Sequence, residues 1–318
     1  MSFAATYLAN PDLFPARPGG EPWGDREVTV DLPGGPYRFR GFCASQEEAV
    51  RQRFGPFCRP AGTAAGETAG DRAVETRVFR MAVADFRAID PRGWEYGIDL
   101  DFAPASVRLA GLRFLGRLDW RPGGLGGALW TCETAGEELS GTVENFFRAL
   151  LAYRLLDQGG VVLHSSGVAP HGETGPGFLF LGRSGAGKTT VARQALERGG
   201  LVLSDDMNAV SSPAGGPARL ERLPFTGDLG AREPAPRSFP LGAFFRLEKS
   251  ARDEMRPLSR AQAVACLLAC SPFVNTDPYR EERLMEVLAG LAGRAPAYAL
   301  SFSLAGGFWS ILDRAWPR

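Results

Sequence analysis

Two lysines and two histidines are all that this 318-residue chain contains of either type, although it carries 36 basic residues in total. Two histidines are too few for a His-rich metal centre. The five cysteines, Cys43, Cys58, Cys132, Cys266 and Cys270, are odd in number and include no CxxC pair. That speaks against a disulfide framework and against a zinc ribbon. Cys266 and Cys270 stand i,i+4 in AQAVACLLAC and read as small core residues of a helix. Formal net charge is zero, so no global field draws the chain to nucleic acid or to an anionic membrane. The opening MSFAATYLAN lacks a basic segment followed by an apolar one, the pattern of a secretory signal. No apolar run approaches the roughly 20 residues that a membrane-spanning helix needs. A soluble, cytoplasmic protein is the expectation, with no nucleic-acid and no membrane partner.

The first 35 residues are rich in Pro and Gly and show little pattern. EVTVDL (27–32) and PYRFRGF (36–42), separated by PGG, predict two strands and a turn. Ser45–Glu48 matches a capping box and predicts a short helix reaching Phe54. RPAGTAAGETAGDR (59–72) is small and polar and predicts a loop. TRVFRMAV, WEYGIDLDF, SVRLAGLRFLGRLDW and GALWTCE predict short strands, with RPGGLGG (121–127) as a hairpin loop. Residues 1–140 therefore read as a β-rich α+β domain. They hold no motif that carries chemistry, and a role in recognising a substrate or partner is the expectation for them.

From 141 to 318 the pattern is that of an α/β domain. Val143, Phe146, Phe147, Leu150, Leu151 and Leu155 recur at helical spacing over 142–158. VVLHSSGVAP (161–170) and FLFLG (178–182) read as strands, the second a continuous apolar run of the buried kind. A helix follows over 189–200, then the strand LVLSDD (201–206), a loop-rich stretch over 211–240, and the strand LGAFFRLE (241–248). A helix over 259–273, an amphipathic helix near 280–293, the strand APAYALSFS (295–303) and a terminal helix complete the chain, without internal repeats.

Gly182-Arg183-Ser184-Gly185-Ala186-Gly187-Lys188-Thr189 matches GxxxxGK[ST] in full, and Thr190 continues it. Glycines let the backbone turn tightly, so that successive N–H groups face phosphate oxygens. The helix that follows adds its positive end. Lys188 suits the β- and γ-phosphates and the Thr189 hydroxyl suits Mg²⁺. A chain that otherwise uses Arg has kept Lys at 188, where a compact point charge is wanted; Lys249 is the other exception. The order strand, loop, helix, strand, acid is the scaffold of a nucleotide-binding domain. Asp205 and Asp206 end the next strand, placed to hold Mg²⁺ or to take a proton from an attacking hydroxyl, and their division of labour stays open. His164 faces the phosphates if its strand neighbours the phosphate-loop strand.

LHSSGVAP…FLFLGRSGAGKTTVARQALERGGLVLSDDMNAV resembles the nucleotide-binding core of the HPr serine kinase/phosphorylase superfamily, a group related to the ATP-dependent phosphoenolpyruvate carboxykinases. The resemblance spans about residues 160–275. It implies a P-loop fold of that type, with His164 near the γ-phosphate, residues 182–190 as the nucleotide loop, and Asp205 and Asp206 as the magnesium and acid/base pair. LPFTGD (223–228) resembles a Gly- and Pro-containing loop of the same proteins, and Lys249 or Arg246 would then approach the phosphates. Mg²⁺ and ATP are the implied cofactor and substrate, and a homo-oligomer is the implied assembly. Thr190 stands where HPr kinases have Glu, and their EIRG-type signature and basic C-terminal loop are missing. HPr is therefore not the expected acceptor. Divergent relatives resemble proteins that accompany peptide-modifying enzymes, which makes the hydroxyl of a peptide, small protein or small molecule the implied acceptor. A non-catalytic ATP-binding scaffold or sensor is the alternative. A transporter-type ATPase fits poorly, because LSG (139–141) precedes the phosphate loop. A GTPase fits less well still, because VNTD (274–277) is not NKxD.

Overall fold

The computed structural model describes residues 20–60, 72–82, 98–111, 113–132, 136–212, 216–225, 227–230 and 237–317. The expected loop over 59–72 and the start of the WEYGIDLDF strand lie largely outside these residues. The chain divides into two compact units, residues 1–154 and 155–318. The division falls later than the 140/141 boundary expected from sequence, because most of the helix over 136–157 packs within the first unit.

The first unit holds a seven-stranded mixed sheet in the order β1-β2-β3-β7-β6-β5-β4. Its strands are β1 (Arg26–Leu32), β2 (Gly35–Phe42), β3 (Val74–Arg80), β4 (Asp99–Ala103), β5 (Ser106–Gly111), β6 (Phe114–Arg121) and β7 (Gly124–Thr131). SVRLAGLRFLGRLDW thus forms two antiparallel strands. RPGGLGG is only partly a turn, since β7 begins at Gly124. Helix α1 (Ala44–Phe54) is capped two residues before the predicted cap. Gln46 accepts the Cys43 N–H at 3.1 Å, so Cys43 and not Ser45 is the capping residue. Helix α2 (Gly136–Asp157) buries the periodic residues named above. Phe147 is ringed edge-on by Tyr37, Phe39 and Phe54, with centroids 5.0, 5.2 and 5.5 Å away. Aromatic burial of this kind supplies roughly 1.5–3 kcal/mol per ring.

The second unit is built on a mixed sheet whose middle positions the site. β9 (Gly177–Leu181) pairs antiparallel with β8 (Val161–Ala169) on one side and parallel with β13 (Ser238–Lys249) on the other. β15 (Ala297–Phe302) extends the parallel set beyond β13. On its other edge β8 pairs with β10 (Leu201–Ser204) and then β11 (Met207–Ser211), two pieces of one run interrupted at Asp205 and Asp206. β11, β12 (Arg219–Glu221) and the edge strand β14 (Glu254–Pro257) were not anticipated. They are short, and they fall where no alternation signals them.

Helix α3 (Lys188–Glu197) covers one face of this sheet, and α6 (Phe308–Ala315) joins it. Their core contains Phe178 and Phe180 of β9, Phe245 and Leu247 of β13, Val191, Ala192 and Ala195 of α3, Phe302, and Trp309. Helices α4 (Arg260–Ala269) and α5 (Glu281–Ala292) pack against one another. No helix among the described residues is long and apolar enough to cross a membrane.

Candidate functional site

β9, β13 and β15 all end on one side, where open α/β sheets carry their ligands. Residues 182–187 leave β9 there and turn into α3. Gly185 and Gly187 hold positive φ of 74° and 106°, values that favour glycine. A side chain at Gly187 would also run into the ring of Phe302, which braces the loop from the end of β15. The loop is thus both strained and walled, and only glycine meets both conditions at 187.

Lys188 is 7% exposed. Its Nζ donates to the carbonyls of Gly182 at 2.9 Å and Arg183 at 3.3 Å, closing the loop on itself. Burial lowers its pKa below the ordinary lysine value, and the negative charge of Asp206 works in the opposite direction. The amine therefore sits behind the loop, facing inward, with Thr189 and Thr190 half-buried at the helix start.

The two aspartates separate. One extra residue between Val202 and Ser204 shifts the register against β8 just before them. Both lie at the bend between β10 and β11, and their side chains take different partners. Asp205 is 5% exposed and accepts the N–H groups of Gly227 at 3.0 Å and Leu229 at 3.2 Å, fastening the 227–230 loop. Asp206 turns toward β8, where its Oδ1 lies 3.3 Å from His164 Nδ1. The Asp206 carbonyl accepts the Ser165 N–H at 2.9 Å, and Met207 is paired with His164. His164 is itself held by its N–H, which donates to the Cys270 carbonyl at 2.7 Å.

A buried polar set supports the bend. Ser204 Oγ donates to Phe225 O at 2.6 Å and accepts the N–H of Asp206 at 3.1 Å and of Met207 at 3.2 Å. Asn208 Nδ2 donates to Ser165 O at 2.9 Å and to Ser204 O at 3.2 Å. Ser204 and Asn208 escaped the sequence reading because neither belongs to a motif. Their only signal is polarity inside an apolar strand pair.

Asp205→Ala leaves two backbone N–H groups of the 227–230 loop without their charged acceptor. The expected cost is about 1.5–3 kcal/mol of unfolding free energy, read as a lowered urea midpoint. An unchanged midpoint would show that the loop does not depend on this carboxylate.

A cavity of about 430 Å³ brings together His164, Ser184, Gly185, Gly187, Lys188, Thr189, Thr190, Asp205, Asp206, Gly227, Asp228 and Lys249. That volume is in the range of small-molecule sites. Of the residues singled out in the sequence, Gly182, Arg183 and Ala186 belong to the loop but do not line the cavity, and Arg246 stands elsewhere. Arg246 is paired with Glu248 and hydrogen-bonded to Cys266. The two helix cysteines correct an expectation. Both are partly exposed rather than core, and Cys270 accepts the Gly182 N–H beside Lys188, its thiol pKa pushed up by burial. All five cysteines are free.

Magnesium bound with nucleotide takes most of its ligands from phosphates and water and only one or two from protein oxygens. Among the described residues no cluster of three or more His, Cys, Asp or Glu could hold a metal by itself. Thr189 with the aspartates offers the smaller oxygen set that a nucleotide-borne magnesium uses.

No curated protein matches the chain. Residues 145–316 match the family described as SynChlorMet cassette protein ScmC, a stretch that contains His164, the 182–189 loop, both aspartates and Lys249. The match covers more than half of the sequence, and the chain belongs to the ScmC family of SynChlorMet cassette proteins.

Proposed function

We propose that the chain is a Mg-ATP-dependent phosphotransferase that passes the γ-phosphoryl group to a hydroxyl of a peptide, a protein or a small molecule. The observation that carries this reading is one cavity lined by Ser184, Gly185, Gly187, Lys188, Thr189 and Thr190 of the loop together with the Asp206–His164 pair. The set of residues that a phosphoryl transfer needs is small, since positioning and charge stabilisation supply most of the rate.

The backbone N–H groups of Ser184, Gly185, Gly187 and Lys188 bind the phosphates, and Lys188 swings from its carbonyl partners to their oxygens. The acceptor hydroxyl enters beside Asp206. Its oxygen forms the new bond to the γ-phosphorus while the bond from that phosphorus to the β–γ bridging oxygen breaks, releasing ADP. The hydroxyl proton passes to the Asp206 carboxylate and from there to solvent. His164 orients that carboxylate. Thr189 and Asp205 would hold the magnesium, which neutralises phosphate charge when bound. Asp205 also keeps the 227–230 loop, with Asp228, against the acceptor side of the cavity.

The family description assigns its members to a cassette, which makes a peptide or protein of the same cassette the first acceptor to offer. The test is transfer of label from γ-labelled ATP to such a partner or to a cell extract. A labelled acceptor that disappears with Asp206→Asn supports the reading. Tight nucleotide binding without transfer or hydrolysis under any condition would replace it with a nucleotide-binding scaffold or sensor.

A further inference from the structure

The chain has two lysines, Lys188 and Lys249, and both line the same cavity. Every other basic residue is arginine or histidine. A second independent feature is the direction of the Lys249 side chain. On β13, Ala243, Phe245 and Leu247 belong to the core beneath α3, so odd positions face the helix that the phosphate loop begins. Leu247 lies against the loop itself, since a Cβ built on Gly182 would stand 3.7 Å from the Leu247 Cβ. Lys249 is the next residue on that face. Arg246 and Glu248 take the opposite face, where Arg246 meets Cys266 of α4.

Register gives the height. Arg246 is paired with Leu181, the last residue of β9. Lys249 therefore projects beyond the end of β9, alongside the loop and not beneath it. The loop strand is flanked by β8 on one side and β13 on the other. His164 and Asp206 approach from the β8 side, and Lys249 approaches from the β13 side. The Lys249 side chain is exposed, and its ammonium makes no ion pair or hydrogen bond among the described residues. Lys188, by contrast, is tied to the loop carbonyls.

We infer that Lys249 is a second phosphate-binding cation that contacts the γ-phosphoryl group from the side opposite the Asp206–His164 pair. The inference rests on the phosphate-loop reading above. Charge develops on the γ-phosphoryl oxygens and the bridging oxygen during transfer, and a cation held within the same chain stabilises it there. Asp206, an acid that must take a proton, and Lys249, a cation that must keep one, are separated by the phosphoryl group, so neither quenches the other.

The experiment is calorimetric titration of wild type, Lys249→Ala, Lys249→Arg and Lys188→Met with Mg·ADP and with the non-hydrolysable triphosphate Mg·AMP-PNP. Lys249→Ala is expected to weaken AMP-PNP at least tenfold and to leave ADP within twofold, with Lys249→Arg intermediate. Lys188→Met is expected to lose both ligands. An AMP-PNP-to-ADP affinity ratio unchanged in Lys249→Ala overturns the inference while the phosphate-loop reading stands. Failure of the wild type to bind either nucleotide overturns that reading, and the inference with it. Because Lys249 is exposed, its variants should fold, and equal melting temperatures would confirm that they do.

Discussion

Lys188→Met is expected to abolish Mg-ATP binding, with at least a hundredfold loss of affinity, about 2.7 kcal/mol, and to leave the melting temperature of the free protein unchanged or higher. The two halves of this result have one cause. Lys188 is buried, and burial lowers its pKa, so the fold disfavours its charged form. Below the lowered folded-state value both the folded and the unfolded chain keep that proton. The folded form then bears a desolvation cost that the unfolded form does not, and the cost fades only as pH rises through the lowered folded-state value. Methionine removes the charge and keeps much of the volume, at the expense of two hydrogen bonds to loop carbonyls. Stability held against function in this way is a common feature of binding sites. The check is calorimetric titration with Mg-ATP beside a thermal melt. Binding within threefold of wild type would sink the phosphate-loop reading.

Asp206→Asn is expected to lower phosphoryl transfer about 10²- to 10⁴-fold, the usual worth of a positioned general base, while nucleotide affinity stays within about threefold. The amide keeps the shape of the side chain but cannot take a proton from the acceptor hydroxyl. Asp205→Asn should behave differently. Its carboxylate accepts the Gly227 and Leu229 N–H groups, so its loss acts through the 227–230 loop and through magnesium, and raises KM as well as lowering kcat. Comparing kcat and KM for the two variants separates the roles. Equal losses in both parameters for both variants would refute the division proposed for the pair.

The turn over 182–187 and the helix it enters were legible because their pattern is local. Eight consecutive residues carry the turn, the N–H groups, the lysine and the hydroxyl, and the apolar FLFLG before them marks a buried strand. Strands 26–32, 161–169 and 297–302 and the helix over 281–292 were legible for the same reason, through periodicity within a short window. The cap of α1 was misplaced by two residues because Ser45 is the better capping type, yet the helix is entered at Cys43, where Gln46 can reach back.

By itself, then, the sequence determined the loop, the helix it opens, and the presence of two acids and a histidine near it. Only the tertiary structure decided which acid meets the histidine, and which cation meets the loop. Asp206 and His164 are 42 positions apart, and their 3.3 Å approach follows from antiparallel pairing of β8 with β11 and from one inserted residue near Leu203. Arg246 and Lys249 are equally basic and three positions apart, an odd separation that sends them to opposite faces of one strand. Which face carries the 182–187 loop depends on where α3 packs, and that is settled by the core it shares with Phe178, Phe180 and Phe245. Such choices are made by strand order and register, which couple residues far apart in the chain and leave no trace in any short window of it.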